Sequence, residues 1–198
     1  MKTREANRAR QRAALIAAAR GLTIERGWPG VRMADVARAT GVSRQTVYNE
    51  FGCRKGLGEA LARAEVAQFV GAMRADFFSS RADGHRAVQT AARRAIHEAT
   101  GNPLVHDREL FPRALTRLVF DAAAAVVREW AATFHPDYPT RGVELAAESV
   151  VRLTVSHLLL PLAPPEKTAV SLADVFVRLL VSEGASTAPA GPVRARPK

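Results

Sequence analysis

Met33-Ala-Asp-Val-Ala-Arg-Ala-Thr-Gly-Val-Ser-Arg-Gln-Thr-Val-Tyr-Asn-Glu-Phe-Gly52 holds two short helical patterns, about Met33 to Thr40 and Arg44 to Phe51, on either side of Gly41-Val42-Ser43. Two helices that meet at a steep angle need a small residue at the crossing, a turn residue that tolerates positive φ, and apolar plugs from the second helix into the first. Ala37, Gly41 and Val47 meet these needs in order, and Val36, Val42 and Phe51 complete a small core. Ser43 is placed to cap the second helix. That leaves Arg44, Gln45, Thr46, Tyr48 and Asn49 on or near its outward N-terminal part. Their side chains suit nucleic acid: Arg pairs with guanine, Gln or Asn with adenine, and Thr and Tyr with phosphate. An ordinary helical hairpin would give no reason for hydrogen-bonding residues at every outward position, nor for Arg32 and Arg54 flanking the unit.

Working outward, Leu15, Ala18, Ala19 and Leu22 recur at helical spacing, which predicts a first helix from about Asn7 to Arg26, stopped by Gly27 with Pro29 and Gly30 in the turn. After the motif a long helix is expected from near Arg54 to Phe78, carrying Leu57, Leu61, Ala64, Phe69, Met73 and Phe77. Asp83 can cap a helix ending near Thr100, before Gly101-Asn102-Pro103. Leu104 to Phe134 reads as a short helical piece and then a long one. A further helix spans about Arg141 to Leu160, and the last begins after Ser171, which with Asp174 makes a start resembling a capping box, and ends at Gly184. Residues 185–198 hold three prolines and three cations among small residues, the composition of a disordered basic tail. No strand or internal repeat is visible, so the fold class is all-α: a three-helix helix-turn-helix unit over residues 1–53, then a larger helical domain over 54–184.

Charge is segregated along this plan. Of a net charge of +10, residues 1–63 carry 13 Lys/Arg against 5 Asp/Glu, and residues 64–184 carry 13 against 14. A basic N-terminal third on a nearly neutral body is the footprint of a polyanion-binding module, because cationic contacts to phosphate dominate nucleic-acid affinity. Arg4, Arg8, Arg10 and Arg12 form a basic arm that either lies along DNA or is a frayed, solvated terminus.

Other classes fare worse. There is no Gly-x-Ser-x-Gly elbow, phosphate-cradling loop or dinucleotide fingerprint, so an enzyme is not expected. The longest uncharged apolar stretch, Leu153 to Pro165, holds His157 and three prolines and is too short to span a bilayer. With one cysteine and no signal-peptide pattern, the expectation is a cytoplasmic protein without disulfides. Cys53, beside cations after the second motif helix, is either a redox thiol or a small filler. His97, His106 and Asp107, with Glu98 or Glu109, lack the spacing of a metal site, and neither metal nor cofactor is expected.

Ala37-Arg-Ala-Thr-Gly41-Val42-Ser43, Thr46-Val47-Tyr48-Asn49-Glu50-Phe51 and Arg54-Lys-Gly-Leu57 together resemble the tetracycline-repressor family over about Leu15 to Leu61. The resemblance implies a homodimer on a palindromic operator in double-stranded DNA, released by a ligand. It makes Arg44, Gln45 and Asn49 base-reading positions, and Thr46, Tyr48 and Arg54 phosphate contacts, with Ser43 and Lys55 in the same surface. The family often has Thr where this chain has Val31-Arg32, so Arg32 is expected to replace that phosphate contact. The resemblance also puts an effector cavity among the helices carrying Phe69, Met73, Ile96, Leu110, Phe111, Leu115, Leu118, Trp130 and Val151, a lining suited to a small hydrophobic or aromatic molecule. The last two helices are apolar over more than one face, so Val150, Leu153, His157, Val175, Phe176 and Leu179 are expected to pack against a partner subunit. An architectural DNA binder without an effector is the alternative.

Overall fold

Good helix formers before Asn7 carry the first helix further back than its apolar spacing indicates. In the computed structural model, which describes residues 2–107, 109–110 and 113–182, α1 runs Lys2–Arg26. It stops at Gly27, whose φ of 74° suits glycine, and a single 3₁₀ turn, Trp28–Gly30, buries Trp28. Next come α2 (Met33–Thr40) and α3 (Arg44–Phe51). Gly41 between them is left-handed (φ 69°, ψ 21°), and its N–H closes α2 onto the Ala37 and Arg38 carbonyls.

The helix α4 (Arg54–Ser79) is 26 residues long, about 39 Å. It belongs to two cores. Leu57, Ala60 and Leu61 pack with Leu15, Trp28, Val36, Val47 and Phe51 in the N-terminal head, while Met73 and Phe77 pack in the body. The head core thus continues past residue 53, the expected domain boundary. Gly56 explains how α3 and α4 come so close: a Cβ there would collide with the Phe51 carbonyl oxygen.

The body comprises α5 (Gly84–Gly101), the short α6 (Pro103–His106), α7 (Arg113–Phe134), α8 (Thr140–Leu159) and α9 (Pro165–Ser182). Asp83 caps α5 as expected, accepting the Arg86 N–H at 2.9 Å. α5 lies against α9 and α9 against α8, while α4 packs on α5 and α7. Alanines at the contacts, among them Ala87, Ala91, Ala146, Ala147, Ala169 and Ala173, let these helices approach closely around three large rings. Phe77 meets Trp130 edge-on at 5.8 Å between centroids, and Phe176 lies 6.0 Å from Trp130. Among the described residues there is no strand, and no helix is long and apolar enough to cross a membrane.

Three expectations are corrected. α9 begins at Pro165, not after Ser171, because proline is tolerated in a first helical turn and opens the helix. Ser171 is then an interior, exposed position, and Asp174 pairs with His85 Nε2 at 3.1 Å. Phe176, at 0% exposure, and Val150, at 6%, are packed in the body's own core, which argues against the interface role expected of them. The tail at 185–198 lies outside the described residues.

These positions separate core from surface. Phe176→Ala is expected to lower the unfolding free energy by about 3–5 kcal/mol in a urea titration. Leu153→Glu, at a position 38% exposed, is expected to leave the subunit's cooperative unfolding in place.

Candidate nucleic-acid interface

The recognition surface follows from how α3 is seated. Val47 and Phe51 face the head core, so the other sides of the helix are turned outward. Ser43 caps it, accepting the Thr46 N–H at 3.1 Å, with the two hydroxyls 2.9 Å apart. Arg44, Gln45, Tyr48 and Asn49 are exposed. Gln45 Nε2 donates to Asn49 Oδ1 at 2.8 Å, one turn apart, so each amide holds the other and keeps its remaining polar atom available. Arg32 stands exposed at the start of α2 without making a side-chain cap, and Lys55 is exposed at the start of α4. The structure therefore brings together Arg44, Gln45, Thr46, Tyr48 and Asn49 on one short helix, with Ser43 at its cap.

Arg54 is different. Its Nη2 donates to the Trp28 carbonyl at 2.6 Å, its Nε to the Val31 carbonyl at 3.1 Å, and its Nη1 to Glu109 at 2.8 Å. The guanidinium carbon lies 4.6 Å from the Trp28 ring centroid. All three nitrogens are engaged within the chain, which argues against the phosphate contact expected of this residue. It ties the start of α4 to the turn before α2.

Sequence reasoning missed Glu50. From the last turn of α3 its carboxylate accepts from Arg12 Nη1 at 2.6 Å and Arg8 Nε at 3.2 Å, and Arg12 also lies over the Phe51 ring. The Arg12 hydrogen bond, against some desolvation and with help from Arg8, holds the Glu50 carboxyl below the usual carboxylate range. The signal was present: Arg8 and Arg12 are four residues apart on α1, spaced to meet one acid.

The effector candidates do not form one set. Met73, Ile96, Trp130 and Val151 are buried in the body, Phe69 is half-buried, and Leu118 is exposed. Leu110 is buried with Trp28, Leu57 and Leu61 in the head core, as is Leu104, because the turn after α6 folds back onto the head. Leu110 is thus a head-core residue and not part of a body lining. Phe111 lies outside the described residues, as does the side chain of Leu115. Of the interface candidates, Leu153 is exposed and His157, Val175 and Leu179 are half-buried. Leu159, Leu160 and Leu162 extend this apolar surface into the segment before α9. The metal candidates are scattered: His97 pairs with Glu166 at 3.2 Å, Glu109 with Arg54, and Asp107 accepts the Glu109 and Leu110 N–H groups.

A capped recognition helix with an outward polar face, on a basic head joined to a helical body, agrees with what known proteins match. Residues 15–61 match the family described as bacterial regulatory proteins, tetR family, and residues 83–178 match the bacterial tetracyclin repressor C-terminal domain. The chain belongs to the tetracycline-repressor family. It is similar to the HTH-type transcriptional regulator AlkX of Mycobacterium tuberculosis, at 28% identity over 93% of this chain and 92% of that protein. The solved structure of the TetR family repressor AlkX from Dietzia sp. is 27% identical, with a TM-score of 0.65 over 84% of this chain and 96% of that one. The fold is also that of a TetR-family regulator from Mesorhizobium loti, 16% identical, with a TM-score of 0.61 over 88% and 96% of the two chains. This tetracycline-repressor family member is a DNA-binding transcriptional regulator.

Arg54 and its neighbour Lys55 should respond differently to substitution. Arg54→Lys removes the fork that serves two carbonyls and is expected to cost about 2 kcal/mol, read as a lower thermal midpoint without DNA. Lys55→Ala should leave that midpoint unchanged and weaken DNA binding. Equal melting of the two variants would show that Arg54 is not structural.

Proposed function

We propose that this regulator is a repressor that binds a palindromic operator as a homodimer and is released by a small apolar or aromatic effector. Arg44, Gln45 and Asn49 read base edges in the major groove. Ser43, Thr46, Tyr48, Arg32 and Lys55 contact phosphates, and Leu153, Val175 and Leu179, with His157 among them, face the partner from α8 and α9. The work is done in the cytoplasm. Residues 1–53 with the first turns of α4 act as the reading head, and the rest as the sensing and pairing body.

The observation that carries this reading is the outward face of α3, polar at every exposed position and fixed by a serine cap. Release by a ligand is supported by the seating of Leu104 and Leu110, which belong to the body in sequence and to the head in packing. A shift of body helices would therefore be felt in the head. The Dietzia relative is implicated in biodegradation of n-alkanes. Linear alkanes and the alcohols and acids derived from them are accordingly the first effectors to test.

Selection of binding sites from random duplexes is expected to return a palindrome, and Arg44→Ala should relax preference at one position of each half-site by about 1–3 kcal/mol. Failure to prefer any duplex over random competitor would overturn the reading, and single, unpaired sites would overturn the homodimer. An effector at about a hundredfold its Kd should add about 2.7 kcal/mol of stability and release the operator. Operator binding with no stabilisation by any such molecule would instead leave an architectural DNA binder without an effector.

A further inference from the structure

α1 extends well beyond what the head core requires. Its buried face is marked by Leu15 and Ala19, and the same side of the helix, followed back through three turns, carries Arg12, Arg8 and Arg4. Arg10 falls on the far side. Glu50 grips the inner two arginines of this stripe, leaving Arg4 exposed about 12 Å beyond Arg12 along the helix axis. Glu5 is the sole acid in the first 24 residues, and among the described residues Glu50 is the acid that pairs with the stripe.

The grip has two consequences. A lone carboxylate in the last turn of a groove-reading helix would be repelled by the phosphates flanking the groove. Paired with two arginines it becomes a local excess of one positive charge. The grip also fixes the direction of α1 relative to α3, so the cations beyond it are presented as a rigid row, which lowers the entropy lost on contact.

We propose that the first turns of α1 are a second DNA-contacting element, in which Arg4 and Arg8, aligned by Glu50, track the phosphate backbone beside the groove read by α3. This rests on the DNA-binding reading above and enlarges its surface. The contact is sequence-independent, since guanidinium groups on phosphates position a protein without reading bases. Its occupant is duplex DNA, chosen by charge complementarity and by continuity with the recognition helix.

The test compares two charge-equivalent variants on opposite faces, Arg4→Ala and Arg10→Ala, with the double variant Arg4→Ala/Arg8→Ala. Alanine favours helix, and melting curves matching wild type establish that the head is intact. Binding to the selected operator and to a random duplex is measured across salt concentrations. Arg4→Ala is expected to reduce the steepness of log Kobs against log salt by about 0.9 per arm, to weaken both duplexes alike, and to leave base preference unchanged. The double variant should lose more, and Arg10→Ala should stay close to wild type. Equal losses for Arg4→Ala and Arg10→Ala would overturn the proposal in favour of a diffuse charge effect. So would unchanged salt dependence in the double variant while Arg44→Ala still alters base preference. Wild-type protein that holds no duplex at all would overturn the DNA-binding reading and the arm with it.

Discussion

The guanidinium of Arg54, lying on the Trp28 ring and donating to the carbonyls of Trp28 and Val31, closes the head of this protein. Three helices within the first 51 residues bury little apolar surface, and units of about that size are marginal alone. α4 begins without a side-chain cap at Cys53, so its first turn depends on what its side chains reach. Arg54 reaches the head on one side and Glu109 of the body on the other. Leu104 and Leu110 then complete the head core from the body, making the stability of the reading surface a property of both parts.

A second clasp reinforces this coupling. Glu65 of α4 is nearly buried and accepts from Arg20 of α1 at 2.7 Å and from Asn102 at 2.9 Å. Asn102 uses its other amide atom to accept the Leu104 N–H at 3.1 Å and so caps α6. One carboxylate thus joins the first helix, the long connecting helix and the segment that plugs the head. Lower on α4, the buried Asp76 takes both forks of Arg94, each at 2.7 Å, and fixes α5 to the same helix. Removing Asp76 alone would leave a partly buried cation without its partner, whereas the exposed pair of Arg117 and Asp121 is screened by solvent and contributes little.

What was legible in the sequence is what local rules determine. The two motif helices, the glycine between them and the serine cap follow from spacing and φ preferences within twenty residues, and Asp83 announces α5 in the same way. The start of α9 was misplaced because Pro165 reads equally as a stop and as a first-turn residue, and only the helix packed beneath it decides. Long-range partners were not legible. Arg54 has the charge of a phosphate contact, and nothing near it in sequence indicates that Trp28, Val31 and Glu109 occupy it. Leu110 and Phe176 have the spacing of a lining and of an interface, yet periodicity gives a helix face without saying what that face meets. In helices apolar over more than one side, the ambiguity is complete for each residue.

The construction of the body constrains how a signal could travel. Met73, Trp130 and Val151 are buried among alanine-lined helix contacts, so an effector entering between them would have to part helices already packed closely together. Met73 lies on α4, sixteen residues and about 24 Å along the axis from Leu57 in the head. A tilt of a few degrees at that level becomes a displacement of about 1–2 Å at the head, the scale on which packed helices switch. In the homodimer proposed above, both heads would receive it, and their separation would change while each α3 stayed folded on its cap. By reciprocity, DNA that holds the heads at a fixed spacing would resist the parting of the same helices and lower effector affinity by the same factor.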